Sequence, residues 1–234
     1  MSKQNIAIIP ARGGSKRLPR KNILNFLGKP LIQWTIDAAK ASGCFDEIIV
    51  STDDEEILQI SQKLGAVTPG LRPAELATDQ ATTADVLKYT IETLPFEEDV
   101  QTVCLLQPTS PLRLAVDIRC AFDLYHSEDC DAVVSVCEVQ HPIEWTCNIS
   151  SNTRLVNFPK KNFTRSQDYD SRFRLNGSIY LLNKNVINFF GRPLYEKDVV
   201  GLVTPSIRSV DIDTFEDFKI AEYIYQEFIS NFTN

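Results

Sequence analysis

The sequence predicts an α/β protein built on a doubly wound, mostly parallel sheet, with one small inserted lobe. Three observations carry that prediction. Five short apolar, β-branched runs alternate with helix-length amphipathic stretches, the pattern of a sheet covered by helices on both faces. The runs lack a polar face, as strands buried on both sides require. The alternation fails once, between about 139 and 174, over a polar stretch too long for an ordinary connection.

The expected strands are Ile6–Pro10, Glu47–Thr52, Thr102–Gln107, Asp131–Val136 and Ser178–Leu182. Between them, the spacing predicts a helix over Pro30–Ser42, with proline in its first turn and Gly43 just past its end. A second spans Asp53–Leu64 and is closed by Gly65, with Asp53 as cap and Glu55 and Glu56 in the first turn. Others span Thr82–Leu94, with Thr82 or Thr83 as its cap, and Ala115–Ser127. The last, Phe215–Ile229, follows Thr214 with Asp217 three residues on, a weak capping box. Its apolar repeat at Phe218, Ala221, Ile224, Tyr225 and Phe228 should cover the sheet. The whole chain, 1–234, fits one domain with an inserted lobe at about 139–174.

Composition narrows the function. No apolar run approaches the roughly 18 residues of a membrane span, and Met1-Ser-Lys-Gln-Asn leads into a strand without the apolar core of a secretory signal, so a cytoplasmic protein is expected. Six cysteines without a CxxC are expected to be reduced thiols. The net charge of −7 hides an asymmetry: residues 1–40 hold eight Lys or Arg against Asp37 alone, so removing that +7 leaves −14 for the rest. An acidic whole excludes tracking along nucleic acid, whereas a local basic loop suits a small polyanion such as a nucleoside triphosphate.

That loop is "PARGGSKRLPRKN", directly after the first strand. Two adjacent glycines let the backbone bend and present N–H groups to an anion, while Arg12, Lys16, Arg17, Arg20 and Lys21 supply charge. It is neither G-x-x-x-x-G-K-[ST] nor G-x-G-x-x-G, which removes P-loop and dinucleotide-binding readings. Farther on, "LLQPTSPLR" runs as a buried strand and breaks at Pro108 and Pro111, leaving Gln107, Thr109, Ser110 and Arg113 at the carboxyl edge where α/β sites form. In "SVDIDT", Asp211 and Asp213 alternate along an extended segment and share one face, a hard-oxygen pair suited to magnesium. Asp53 is the runner-up for that role.

These segments, with "GKPLIQWTIDAA", "FDEIIVSTDDEEI", "LRPAELATDQATT" and "RLNGSIY" in order from Ile6 to about Glu222, resemble the acylneuraminate cytidylyltransferases, or CMP-sialic acid synthetases, a Rossmann-like nucleotidyltransferase family that includes legionaminic and pseudaminic acid enzymes. The resemblance implies transfer of CMP from CTP to a nine-carbon 2-keto sugar acid, a nonulosonic acid, with Mg²⁺ as cofactor and pyrophosphate released. It implies that Arg12 and Lys21 meet the triphosphate, with Gly14, Ser15 and Asn22 shaping the pocket. Arg72 and Thr83 would serve the cytosine, and Gln107, with Ser110 beside it, the sugar acid. Asp211 and Asp213 would hold the metal, Asp213 also taking part in catalysis. Arg165 and Arg174 would pair with the acid's carboxylate, Asn176 would lie beside the sugar, and Gly177 would permit close backbone approach. Arg17 and Arg20 also read as surface charge, Ser110 as a turn residue, Tyr180 as a packing residue and His141 as structural. The resemblance further implies a homodimer formed through the inserted lobe.

Two departures bear on the sugar. Many sialic acid members carry His-His-Pro where this chain has Gln140-His141-Pro142, and some have lysine where Glu144 stands. Asn22 stands where the eight-carbon octulosonate enzymes have proline, which disfavours that substrate; legionaminic and pseudaminic acids stay open alternatives. A non-catalytic nucleotide-binding module would keep Arg12 and Lys21 yet have no need of the aspartate pair.

Overall fold

The structure, a computed structural model, describes residues 3–157, 165 and 169–230. Its centre is a six-stranded sheet. In chain order the strands of the molecule are β1 (Gln4–Pro10), β2 (Asn25–Phe26), β3 (Lys29–Pro30), β4 (Glu47–Ser51), β5 (Val100–Leu106), β6 (Ala132–Glu138), β7 (Asn148–Ile149), β8 (Leu155–Val156), β9 (Phe173–Asn183) and β10 (Val199–Val203). The sheet runs β10-β6-β9-β5-β1-β4, while β2–β3 and β7–β8 form separate antiparallel ribbons.

β1 is flanked in parallel by β4 and β5, and β10 lies parallel to β6; β9 is antiparallel to both neighbours, β5 and β6. Ser178–Leu182 thus runs opposite to expectation. A segment buried on both faces carries no signal of direction, since either orientation satisfies its side chains. The reversal matters: β6 ends at the carboxyl edge, and Phe173, paired with Glu138, starts β9 at that same edge. The excursion between them therefore leaves from and returns to the side where the strands end. β10, unexpected from sequence, is a short sheet-edge strand with Gly201 at its middle, where a residue depleted in strands obscured the pattern.

The helices are α1 (Leu31–Ser42), α2 (Glu55–Lys63), α3 (Thr83–Glu92), α4 (Ala115–Glu128) and α5 (Phe215–Ile224). α1, α2 and α4 bury Ile32, Ile36, Ile57, Ile118 and Phe122 against one sheet face. On the other, α3 and the 3₁₀ turns Lys184–Phe189 bury Leu87, Ile91, Val186 and Ile187. Gly43 ends α1 at φ 69°, as the spacing implied. Asp54, rather than Asp53, caps α2, accepting from Ile57 N at 3.0 Å. Thr82 caps α3 in a reciprocal box with Asp85, which leaves Thr83 unclaimed by the cap.

α5 departs from expectation twice. It gives way to a π turn over Tyr225–Ile229, and it covers the β2–β3 ribbon in place of the sheet: Phe218 meets Phe26 edge-on at 5.3 Å and Tyr225 meets Trp34 at 4.6 Å. All six cysteines are free thiols. Among the described residues no helix is long and apolar enough to cross a membrane.

Candidate active site

A cleft of about 560 Å³ opens at the carboxyl edge of β1 and β5. The loop after β1 forms one wall, the segment from Arg72 to Thr83 the facing wall, Gln107 to Thr109 the floor, and Asp211 and Asp213 one end. Of the residues expected in the site, Arg12, Ser15, Lys21, Asn22, Arg72, Thr83, Gln107, Asp211 and Asp213 line this cleft. Residues separated by as many as 196 positions bond here.

The basic loop is pinned at its base. Asn22 is buried and donates its amide to Arg12 O at 2.9 Å, closing the loop on itself. The first glycine carries the constraint: a Cβ on Gly13 would stand 2.8 Å from Asp54 Cβ, whereas Gly14 has open space and lies outside the cleft lining. Gly13 N–H donates to Asp53 at 3.0 Å, and neither glycine adopts positive φ, so the first N–H of the expected anion nest already serves a carboxylate. Arg20, at φ 57°, turns away from the cleft and clamps Asp54 and Glu56; that contact holds the Asp54 carboxyl below its ordinary value. Arg17 turns inward and lines the cleft.

Charge in the cleft is cross-paired. Arg12 and Lys16 both reach Asp79, at 2.7 and 2.6 Å. Arg17 and Lys21 both reach Asp213, at 2.7 and 3.2 Å, and Lys21 also donates to Ile212 O. The segment bearing Asp211 and Asp213 is irregular, against the expectation of a strand. Ile212 N donates to Thr109 O at 2.8 Å and Ile212 is buried, so the aspartates on either side still face the cleft. Arg208 grips Asp117 through two bonds of 2.7 and 2.9 Å and staples the approach to this segment onto α4.

Arg72 is buried, with Nη2 3.8 Å from Asp53, and its Nε and Nη1 find no partner among the described residues. Burial lowers its pKa, with Asp53 opposing that shift. Unspent donors on a guanidinium at a cleft wall fit an acceptor-rich ligand edge.

Gln107 is held by an element that sequence reasoning placed correctly and one that it underused. Gly177 holds φ 76°, a conformation that favours glycine, and a Cβ there would stand 2.7 Å from Gln107 Oε1, so the side-chain tip would have to shift. Arg113, fully buried, donates to Gln107 O at 2.9 Å and to Ser178 O at 3.3 Å, tying β5 and β9 together beneath the floor. Burial brings its pKa down to about 10.

Five expected residues stand outside the cleft lining: Gly14, Ser110, Arg165, Arg174 and Asn176. Asn176 is buried and its amide is consumed: Oδ1 accepts from Ser135 at 2.6 Å, and Nδ2 donates to Thr204 and Ser209 at 2.7 and 2.9 Å. Ser110 is buried with its hydroxyl unpartnered among the described residues. Arg165 and Arg174 are exposed; Arg174 sits on β9 opposite Cys137, and 158–164 and 166–168, which surround Arg165, lie outside the described residues. Arg172 pairs with Glu144 at 3.5 Å beside a second hollow of about 310 Å³, lined by His141, Tyr169 and Asp170 among others. His141 stacks on Trp145, and Tyr180 packs edge-on against Phe190. Asp79 was missed as a contributor because its partners, Arg12 and Lys16, lie across the fold.

Comparison with known proteins supplies the family. The protein-family model described as cytidylyltransferase matches residues 6–172. The chain is 34% identical to a pseudaminic acid cytidylyltransferase of Campylobacter jejuni, over 95% of this chain and 97% of that protein. It is 40% identical to a CMP-N,N'-diacetyllegionaminic acid synthase of Legionella pneumophila, over 94% and 96%. It is also 40% identical to an N-acylneuraminate cytidylyltransferase of Streptococcus agalactiae, over 91% of this chain and 51% of that longer protein. Among solved structures, a CMP:2-keto-3-deoxy-manno-octonic acid synthetase complexed with CTP superposes with TM-score 0.73 at 17% identity, covering 97% of this chain and 99% of that one, which is a likeness of fold. With a mostly parallel sheet, a basic loop after its first strand and an aspartate pair meeting that loop in one cleft, the chain belongs to the cytidylyltransferase family and is a nucleotidyltransferase.

Proposed function

We propose that the protein transfers CMP from CTP to a nonulosonic acid, giving the CMP-sugar and pyrophosphate. The observation that carries this reading is the convergence of Arg12, Lys16, Arg17 and Lys21 with Asp211 and Asp213 around one cleft, in a chain similar over nearly its whole length to enzymes named for that product class.

In the reaction, the sugar's anomeric hydroxyl oxygen attacks the α-phosphorus, the hydroxyl proton is lost, and the bond to the bridging oxygen breaks as pyrophosphate leaves with its electron pair. Such chemistry needs alignment and neutralisation of charge more than covalent participation. Arg12 and Lys21 meet the triphosphate, with Ser15 and Asn22 beside them. Arg72, with donors to spare, and Thr83 take the cytosine. Gln107, set by Gly177, faces the sugar acid, and Arg174 and Arg165 serve its carboxylate. Asn176 acts from beneath by holding Thr204 and Ser209, the start of the segment that leads to the aspartate pair.

The donor set fits magnesium. Asp211 and Asp213 offer hard oxygens at the cleft, and magnesium ordinarily keeps waters and substrate phosphates as its further ligands beside one or two carboxylates. Mg²⁺ bound there would supply Lewis-acid stabilisation of phosphate charge.

We assign the excursion at about 139–174 to a homodimer contact that carries Arg165 and Arg172 toward the neighbouring subunit's cleft, in an enzyme working in the cytoplasm. Exposed apolar side chains support it: Ile149, Leu155 and Val156 on the β7–β8 ribbon and Phe173 nearby. A monomer mass at micromolar concentration would contradict it.

The acid is named by assaying pyrophosphate release with CTP, Mg²⁺ and N-acetylneuraminic, legionaminic, pseudaminic or octulosonic acid. Turnover with one nine-carbon acid is expected, with Gln140 and Glu144 favouring legionaminic or pseudaminic acid. Silence with all four, while CTP binds, would favour a sugar acid outside these four or a binding module.

A further inference from the structure

Every cation that the loop after β1 turns toward the cleft is already neutralised within the protein, and two carboxylates do it. Asp213, which takes Arg17 and Lys21, has a role in the reaction. Asp79 has none so far. It arrives from the opposite wall, its side chain is 48% exposed, and its carboxylate bridges Arg12 and Lys16 at 2.7 and 2.6 Å. Hydrogen bonds from Lys16 and then Arg12 hold that carboxyl below its ordinary value, so it is charged at neutral pH. A two-oxygen anion bridging these cations stands as a phosphate would.

Resting on the reading of this cleft as a CTP site, we infer that Asp79 is a specificity-determining countercharge, holding Arg12 and Lys16 until a polyphosphate displaces it. An anion must outcompete a doubly paired carboxylate, so weakly charged ligands fail where a triphosphate succeeds. The same carboxylate recovers both cations as pyrophosphate leaves, which promotes release. A ligand that occupies only the cytosine end leaves Asp79 in place and bears none of this competition.

The test is calorimetric titration of wild type, Asp79→Asn and Asp79→Glu with cytidine, CTP and pyrophosphate. Asp79 is exposed, so both variants should fold, and a cooperative thermal transition checks it. In Asp79→Asn the ratio of CTP to cytidine affinity should rise about three- to tenfold, with pyrophosphate tightening in parallel, the scale of losing two exposed ion pairs. Asp79→Glu should keep the wild-type ratio. An unchanged or lower ratio in Asp79→Asn would overturn the inference and make Asp79 a plain surface pair or a direct nucleotide ligand. Wild type that binds neither CTP nor pyrophosphate would instead overturn the CTP reading of the cleft and the countercharge with it.

Discussion

The two sides of the sheet's carboxyl edge are built on different principles. On the side we assign to the nucleotide, the loop after β1 is tied to the Arg72–Thr83 wall through Asp79, to the residues leading into α2 through Asp53 and Asp54, and to the C-terminal segment through Asp213. On the excursion side, Arg165, Arg172 and Arg174 are exposed, and Ile149 and Leu155 stand 71% and 63% open. The difference teaches that charge for a polyphosphate can be gathered by one chain folding on itself. The side assigned to the sugar acid presents surface that, in our proposal, a second copy covers.

Variants can break this contrast. The largest effect is expected from Asp213→Ala, which should lower kcat by about 10³-fold while preserving the fold, because both the proposed metal ligand and the partner of Lys21 are lost. Steady-state kinetics beside circular dichroism checks it. Next, Arg174→Ala should raise KM for the acid by about 10- to 100-fold, the range of a charged hydrogen bond, while the Kd of CTP stays constant. A parallel loss of CTP affinity would show that the two sides are not separate.

Gly177→Ala tests the junction between them. Positive φ and the clash with Gln107 should cost about 1–2 kcal/mol in thermal or urea unfolding, and raise the acid's KM several-fold with CTP binding intact.

Much of the side we assign to the nucleotide was legible because its signals are local. The strand-to-loop transition, the glycine pair and the basic cluster fall within a dozen residues, and a threonine cap at Thr82 or Thr83 is read from spacing, the fold choosing Thr82. What stayed hidden depends on partners far along the chain. Asp79 looks like one polar residue in a loop until the fold brings Arg12 across the cleft. Asn176 reads as a site residue by motif, yet Ser135, Thr204 and Ser209 consume its amide. The direction of β9 was illegible because a strand buried on both faces has no sidedness to read. Asp53 and Asp54 are adjacent carboxylates, and only the helix's actual start decides which one caps it.

The smallest effect concerns pH. Arg20 holds Asp54 below its ordinary value, so this pair stabilises the fold above the unfolded carboxyl's pKa, and that stability drains as pH falls through the depressed value. Asp54→Asn, which keeps a cap, should lose about 0.5 kcal/mol at neutral pH and show a flatter acid limb in unfolding measured from pH 6 to 2.

The most direct test of the central claim is where the phosphates of CTP go. With the acid that supports turnover, α-labelled CTP should place its label in the sugar product, and γ-labelled CTP should place its label in pyrophosphate. γ-Label in the sugar, or α-label released as CMP without the acid, would contradict cytidylyl transfer.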